Sequence, residues 1–275
     1  AIYEPRFLNC MYGFRPNRGC HDAIKELYKR LNNTKICYIV DADIKGFFDH
    51  MKHEWIIKFL YLYIKDPNII GLVKKYLKVG VIDGGELMMN EEGSAQGNII
   101  SPILANIYMH NVLTLWYKFI ITKECKGNNF LIVYADDFVA GFQYKWEAEN
   151  YYKLLKERME KFGLQLEESK SRLLQSGAYI ARAKQKSGES TRLETFDFLG
   201  FTFYCGRSRK GMPYIMPKTS SKKFRQKIRD IKVWIYANRD QSLKKLMGML
   251  NLKLVGHYRY YGISFNGRMI SNYKQ

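Results

Sequence analysis

Long apolar runs, paired cysteines and acidic residues in the last third are all scarce in this chain of 275 residues. No uninterrupted apolar window of about eighteen residues occurs, which argues against a helical membrane span. Residues 1–10 lack the basic-then-apolar pattern of a secretory signal. The five cysteines, Cys10, Cys20, Cys37, Cys125 and Cys205, form no C-x-x-C pair. An odd, scattered set of thiols fits a reducing, cytoplasmic setting rather than a disulfide framework. His50 and His53 lie close together, but nothing nearby completes a zinc site. Disorder is excluded by what is present: 47% hydrophobic and 15% aromatic residues, enough to build a core.

The formal charge is +19, and its distribution says more than its size. Residues 1–175 hold 24 basic and 21 acidic side chains, whereas residues 176–275 hold 21 and 5. A nearly neutral body with a basic last third points to a polyanionic partner, with nucleic acid ahead of a membrane surface.

Turn and periodicity signals organise the chain. Gly13 and Pro16 make 12–18 a loop. Helices are predicted over 21–31, 53–63, 67–79 and 146–162, the last ended by Gly163. Ser101-Pro102 marks another helix start, with Ser101 as the cap. Residues 36–40 read as a buried strand, 86–91 as part of a short hairpin, and 195–204 as strand-turn-strand around Gly200. Residues 181–193 read as an exposed polar loop, and 211–218, marked by Gly211, Pro213 and Pro217, as a domain boundary. Beyond it, Phe224, Ile228, Ile231 and Ile235 recur at helical spacing, and 241–250 and 254–261 read as two further helices.

Three carboxylates depart from the solvent-facing norm. Asp43 follows an apolar run, and Asp136 and Asp137 sit at the tip of a hairpin between 130–133 and 138–142. Carboxylates held together beside Val133, Tyr134, Phe138 and Val139 need a cation to offset their repulsion. Two divalent ions roughly 4 Å apart would do so and would suit phosphoryl transfer. Oxygen donors favour a hard ion such as Mg²⁺.

These residues then fall into a family pattern. Val40-Asp-Ala-Asp-Ile-Lys-Gly-Phe-Phe-Asp49 and Tyr134-Ala-Asp-Asp137 resemble the two metal-binding motifs of reverse transcriptases, in particular the group II intron-encoded maturases of bacterial type. Further motifs follow in order. Tyr12-Gly-Phe-Arg-Pro-Asn-Arg18 resembles the finger motif, and the stretch from Ala95-Gln-Gly to Tyr108 the glutamine-glycine motif. Gly163-Leu-Gln-Leu-Glu-Glu-Ser-Lys170 and Phe196-Asp-Phe-Leu-Gly-Phe201 are similar to the next motif and the primer grip. The stretch from Leu250 to Tyr261 is similar to the maturase thumb signature. Ser94-Ala95 stands where the family usually has Thr-Pro, and Asn98 replaces a common small residue.

The resemblance implies an α+β right-hand polymerase: an antiparallel palm sheet backed by helices, partial fingers and a helical thumb. Fingers and palm would occupy 1–210, and the thumb, or maturase X region, 211–275. The implied activity is RNA-directed DNA polymerisation, adding dNTPs to a primer on an RNA template, with assistance to intron splicing. Asp43, Asp136 and Asp137 would be catalytic, holding two Mg²⁺ ions together with the backbone carbonyl of Ile44. Phe48 stands at the steric-gate position, and Gln96, Gly97 and Lys170 at nucleotide-binding positions. Phe198, Leu199 and Gly200 would form the primer grip. Residues 218–275 hold 14 basic and 2 acidic side chains, and Lys222, Lys223, Arg225, Lys227, Arg229 and Lys232 would bind the intron RNA or the template–primer duplex. The fingertip and DNA-binding or endonuclease regions of the family are expected to lie outside these residues, so that this segment alone would polymerise poorly while retaining RNA. A homodimer is left open. The competing reading is a non-catalytic splicing cofactor that keeps the fold as a scaffold; retained carboxylates favour the enzyme.

Overall fold

The computed structural model describes residues 2–78, 81–83, 86–88, 93 and 99–274, and the chain divides into two compact units, Ala1–Tyr179 and Ile180–Gln275. In the first, a short 3-10 turn (Glu4–Arg6) precedes α1 (Cys20–Asn33), β1 (Tyr38–Ala42), α2 (Phe47–His50), α3 (His53–Tyr61) and α4 (Pro67–Lys78). A small hairpin, β2 (Val81–Asp83) and β3 (Glu86–Met88), leads towards α5 (Ser101–Met109). Two π-helical segments, His110–Thr114 and Tyr117–Ile121, carry the chain on to α6 (Thr122–Glu124). The hairpin β4 (Asn129–Tyr134) and β5 (Asp137–Phe142), α7 (Lys145–Lys161) and β6 (Arg172–Gln175) complete the unit, and α8 (Ala178–Lys186) spans the division.

An antiparallel sheet of order β4-β5-β1-β6 forms the centre of the first unit. Side chains alternate across a strand, and both faces here are apolar. Val40, Ala42, Leu131, Val133, Phe138, Ala140 and Phe142 join one core with Leu104, Tyr108, Tyr151 and Leu155 from α5 and α7. On the opposite face lie Ile39, Ile132 and Val139, with α1 packed against β4. Gly141 leaves room there for the Phe130 ring, which a Cβ would approach to 2.2 Å. Double-sided burial explains why the strands read as continuous apolar runs rather than as alternation.

The second unit holds a three-stranded antiparallel sheet, β7 (Phe196–Phe198), β8 (Phe201–Arg207) and β9 (Pro213–Thr219). After it come α9 (Ser221–Ala237), α10 (Leu243–Tyr261) and α11 (Gly267–Lys274). Four expectations are corrected. The polar stretch 181–193 is helical through Lys186, because Ala178 and Ala181 bury one side while Lys, Arg and Gln, all good helix formers, cover the other. Pro213 and Pro217, read as marking a domain boundary, lie within β9; β9 is an edge strand, where a missing N–H is tolerated. Residues 241–250 and 254–261 form one helix, since Asn251, Leu252 and Lys253 continue the turn instead of breaking it. Ile100, not Ser101, caps α5, and Ser101 is buried in its first turn. Among the described residues no helix is long and apolar enough to cross a membrane.

Candidate functional site

Asp43 is the first residue after β1, and Asp136 lies in the turn between β4 and β5. Because Ala42 pairs with Phe138, the register carries Asp43 alongside that turn. Tyr134 pairs with Asp137, so Ala135 and Asp136 alone make the connection. Ala135 has φ 56°, the positive value that a tight hairpin needs at its first central position. An alanine there costs about 1 kcal/mol, which the surrounding packing must offset.

That packing comes from the 12–18 loop. The Tyr12 N–H donates to the Val133 carbonyl (2.8 Å), and the Val133 N–H to the Cys10 carbonyl (2.8 Å). Gly13 lies directly against the turn, where a Cβ would come within 2.6 Å of the Ala135 nitrogen. The buried Asn106 amide donates to the Gly13 carbonyl (2.8 Å). Arg15 is buried as well: its guanidinium pairs with Glu4 (2.8 Å) and donates to the Leu8 and Met11 carbonyls. The arginines of the 12–18 loop therefore brace it; Arg18 likewise donates to Asn9.

Asp136 is half-buried, and its carboxyl is held above the usual range, first by burial and then by the nearby negative charge of Asp43. The Lys170 ammonium lies 2.7 Å from Asp43 Oδ2. Segment 165–171 is laced to the Asp43 backbone. The Glu167 N–H donates to the Asp43 carbonyl (2.8 Å), the Lys45 N–H to the Gln165 carbonyl (2.9 Å), and the Asp43 N–H to the Ser171 hydroxyl (3.2 Å). Ile44 faces Leu166 between these bonds, so its own carbonyl points away from the pairing.

A carboxyl at Asp136 whose ionisation is opposed by the charge of Asp43, with a backbone oxygen beside the pair, forms a donor set suited to a hard divalent ion. Asp137 is exposed at the start of β5, close enough for its charge to act on Lys170. Among the described residues no group of three His, Cys, Asp or Glu side chains is arranged as a metal site, so the fit rests on Asp43, Asp136 and the Ile44 carbonyl.

Phe48 is half-buried at the edge of the core, edge-on to the fully buried Phe47 at 5.4 Å. Gln96 and Gly97 lie outside the described residues. Ser171, Gly13 and Asn106 hold the site although none was singled out as a functional residue; Gly13 and Asn106 fall within the motif stretches 12–18 and 95–108, whereas Ser171 carried no signal.

In the second unit, Phe198 and Phe201 pair across a two-residue turn, Leu199 and Gly200, both with positive φ (49° and 78°). Leucine is strained in that conformation. The Tyr260 hydroxyl anchors it by donating to the Leu199 carbonyl (2.9 Å), and the Ser220 N–H donates to the Gly200 carbonyl (3.0 Å). Asn266, fully buried, ties the unit together: its amide donates to Thr219 Oγ1 (2.8 Å) and the Tyr261 carbonyl (2.7 Å), and its oxygen accepts from the Thr219 N–H (2.8 Å). Tyr261 is buried against Phe201, so it serves packing.

Along α9, Lys222, Lys223, Arg225, Lys227, Arg229 and Lys232 are all exposed, while Phe224, Ile228 and Ile231 are half-buried. At about 100° per residue, Lys222, Arg225, Arg229 and Lys232 share one flank of the helix, and Lys223 and Lys227 lie on the other.

Comparison with known proteins follows the same residues. The family described as reverse transcriptase (RNA-dependent DNA polymerase) matches residues 3–203. The chain is 40% identical over 123 residues to the group II intron-encoded protein LtrA of Lactococcus lactis subsp. cremoris, covering 43% of this chain and 20% of that protein. It is 41% identical over 113 residues to a 91 kDa protein in the cob intron of Schizosaccharomyces pombe, covering 41% of this chain and 14% of that one. Thus the chain matches only about a fifth or less of the length of these curated relatives. Apo telomerase from Candida tropicalis shares the fold at TM-score 0.51 and 16% identity, over 74% of this chain and 35% of that one.

Proposed function

The chain belongs to the reverse transcriptase family, and from that membership we propose that it works as an RNA-directed DNA polymerase and maturase, adding dNTPs to a primer 3′ end on an RNA template and assisting the splicing of an intron RNA it binds. The reading is supported by the likeness to group II intron-encoded proteins. It is carried by one observation: the β1–β5 register brings Asp43 beside the Asp136 turn, and the charge of Asp43 acts on Asp136.

Asp43, Asp136 and the Ile44 carbonyl would hold two Mg²⁺ ions, with Asp137 as the outer carboxylate. Such ions, when bound, supply Lewis acidity that favours the primer alkoxide and offsets phosphate charge. The protein's own part is positioning rather than covalent chemistry. The Phe48 ring would exclude a ribose 2′-hydroxyl, and Gln96 and Gly97 would line the nucleotide. The strained Leu199–Gly200 turn would hold the primer strand in register. The charged flank of α9 would hold the phosphate backbone, contributing affinity with little base specificity.

Single-turnover primer extension on an RNA template with Mg²⁺ tests this. Asp136→Asn is expected to lower the extension rate by at least about a hundredfold, the scale of losing one charge-stabilising group, while RNA affinity stays within about twofold. Extension by the variant at the parent rate would sink the metal assignment. A complete parent protein, rather than this segment alone, that binds RNA and supports splicing without any extension would favour the non-catalytic cofactor.

A further inference from the structure

We propose that the Lys170 ammonium is the resident counter-cation of Asp43, and that it competes with the metal for that carboxylate, so that metal loading releases the lysine head group into the site. The inference rests on the metal reading of Asp43 and Asp136 given above, and deepens it.

Asp43 and Lys170 belong to one hydrogen-bonded unit. The Glu167 N–H is bound to the Asp43 carbonyl, and the Lys170 and Ser171 N–H groups both donate to the Glu167 carbonyl (3.0 and 2.8 Å). The Ser171 hydroxyl in turn accepts from the Asp43 N–H. The backbone therefore delivers the lysine stem to Asp43 whether or not anything else is present. At 2.7 Å the ammonium makes a full charge-assisted bond to Oδ2.

Its surroundings are acidic. Asp43, Glu167 and Asp137 all favour its charged form. Asp43 also bears on Asp136. Within this cluster, the Lys170 head group is the monovalent cation bonded to the Asp43 carboxylate.

A divalent ion binds carboxylate oxygen at about 2.1 Å. A cation that close to Asp43 repels an ammonium bonded to the same carboxylate. The lysine side chain is 65% exposed against 32% for Asp43, so it has water to move into. Its four-carbon stem keeps the freed head group within reach of the site. One residue would thereby neutralise the empty site and, once displaced, offer its charge to an incoming phosphate.

Manganese is the probe. Mn²⁺ binding to the whole chain is followed by the electron paramagnetic resonance signal of the free ion, with no nucleotide or primer present. Lys170→Met, which keeps the length and removes the charge, is expected to bind Mn²⁺ about two- to fivefold more tightly, the scale of an exposed ion pair. Lys170→Arg, which keeps the charge, should stay within about twofold of the parent. Unchanged or weaker binding by Lys170→Met would overturn the competition, as would Lys170→Arg binding as tightly as Lys170→Met. Asp43→Asn separates the two failures. If it loses the site while Lys170→Met is unchanged, only the competition fails; if it binds Mn²⁺ like the parent, the metal reading fails and takes the competition with it.

Discussion

The two compact units solve opposite electrostatic problems. Residues 1–179 hold 24 basic and 21 acidic side chains, and residues 180–275 hold 21 and 5, so the charge step falls on the structural division itself. In the first unit a few carboxylates are held in place by a buried frame. Helix α5 is sunk in the core from Leu104 to Met109, and the Asp136 turn is braced by Gly13 and Asn106. In the second unit, α9 buries no residue, and its basic side chains stand in water. A site that must hold like charges close together needs a rigid frame, because burial and mutual repulsion both oppose the charged pair. A surface that meets a phosphate backbone needs density of charge more than exact placement.

The largest effect should come from erasing that contrast. Replacing Lys222, Arg225, Arg229 and Lys232 by Gln removes one flank of α9 and should weaken RNA binding on the order of a hundredfold at physiological salt, with the slope of log affinity against log salt shallower by about 3. Filter binding across a salt series measures both. An unchanged slope would place the RNA elsewhere. Thermal unfolding should barely change, because these side chains are exposed.

Gly13→Ala tests the frame of the first unit. Its Cβ would meet the Ala135 backbone at 2.6 Å, which no side-chain rotation can relieve. Overpacking of this kind costs about 1–3 kcal/mol, read as a drop in Tm of several degrees, and it should displace the Asp136 turn. RNA affinity should be unchanged if the basic unit acts by itself. A variant with the parent's Tm would show that the loop does not brace the turn.

The smallest effect is a pH dependence. Asp136 is raised in the folded chain chiefly by burial, with a backbone hydrogen bond opposing the rise and the charge of Asp43 adding to it. Such a carboxyl contributes fully to stability below the ordinary aspartate range near 3.9, and that contribution is lost as pH rises through the higher native value. Asp136→Asn never ionises, so it should be the more stable chain near pH 7, with the two Tm values converging towards about pH 3. Divergence in the opposite direction would mean that Asp136 is stabilised as a carboxylate, contrary to its surroundings.

Much of the first unit was legible in advance, because its signals are local. Helices α1, α3, α4 and α7 follow the spacing of their apolar residues, and the Asp136 hairpin follows two apolar runs around a four-residue break. The second unit was harder to read because its signals are weak and polar. Helix α8 is hidden by Lys, Arg and Gln, which read as loop until Ala178 and Ala181 are seen to be buried. Pro213 and Pro217 suggest a domain boundary until β9 is seen at a sheet edge. Asn266, fully buried and triply bonded, sits between Phe265 and Gly267 in a stretch with no periodic signal.

Residue order alone determined the family resemblance, the candidate carboxylates and the concentration of basic charge, since each is a matter of which side chains occur at which spacing. Only the tertiary structure decided which of them meet. Asp43 and Asp136 are brought alongside by the antiparallel register of β1 and β5. Lys170 reaches Asp43 because the backbone from Glu167 to Ser171 bonds to it. Arg15, basic like the residues of α9, is spent inside the fold on Glu4 and two carbonyls. Composition counts a charge the same way wherever it stands, whereas burial and hydrogen bonding determine whether it holds the protein together or faces a partner.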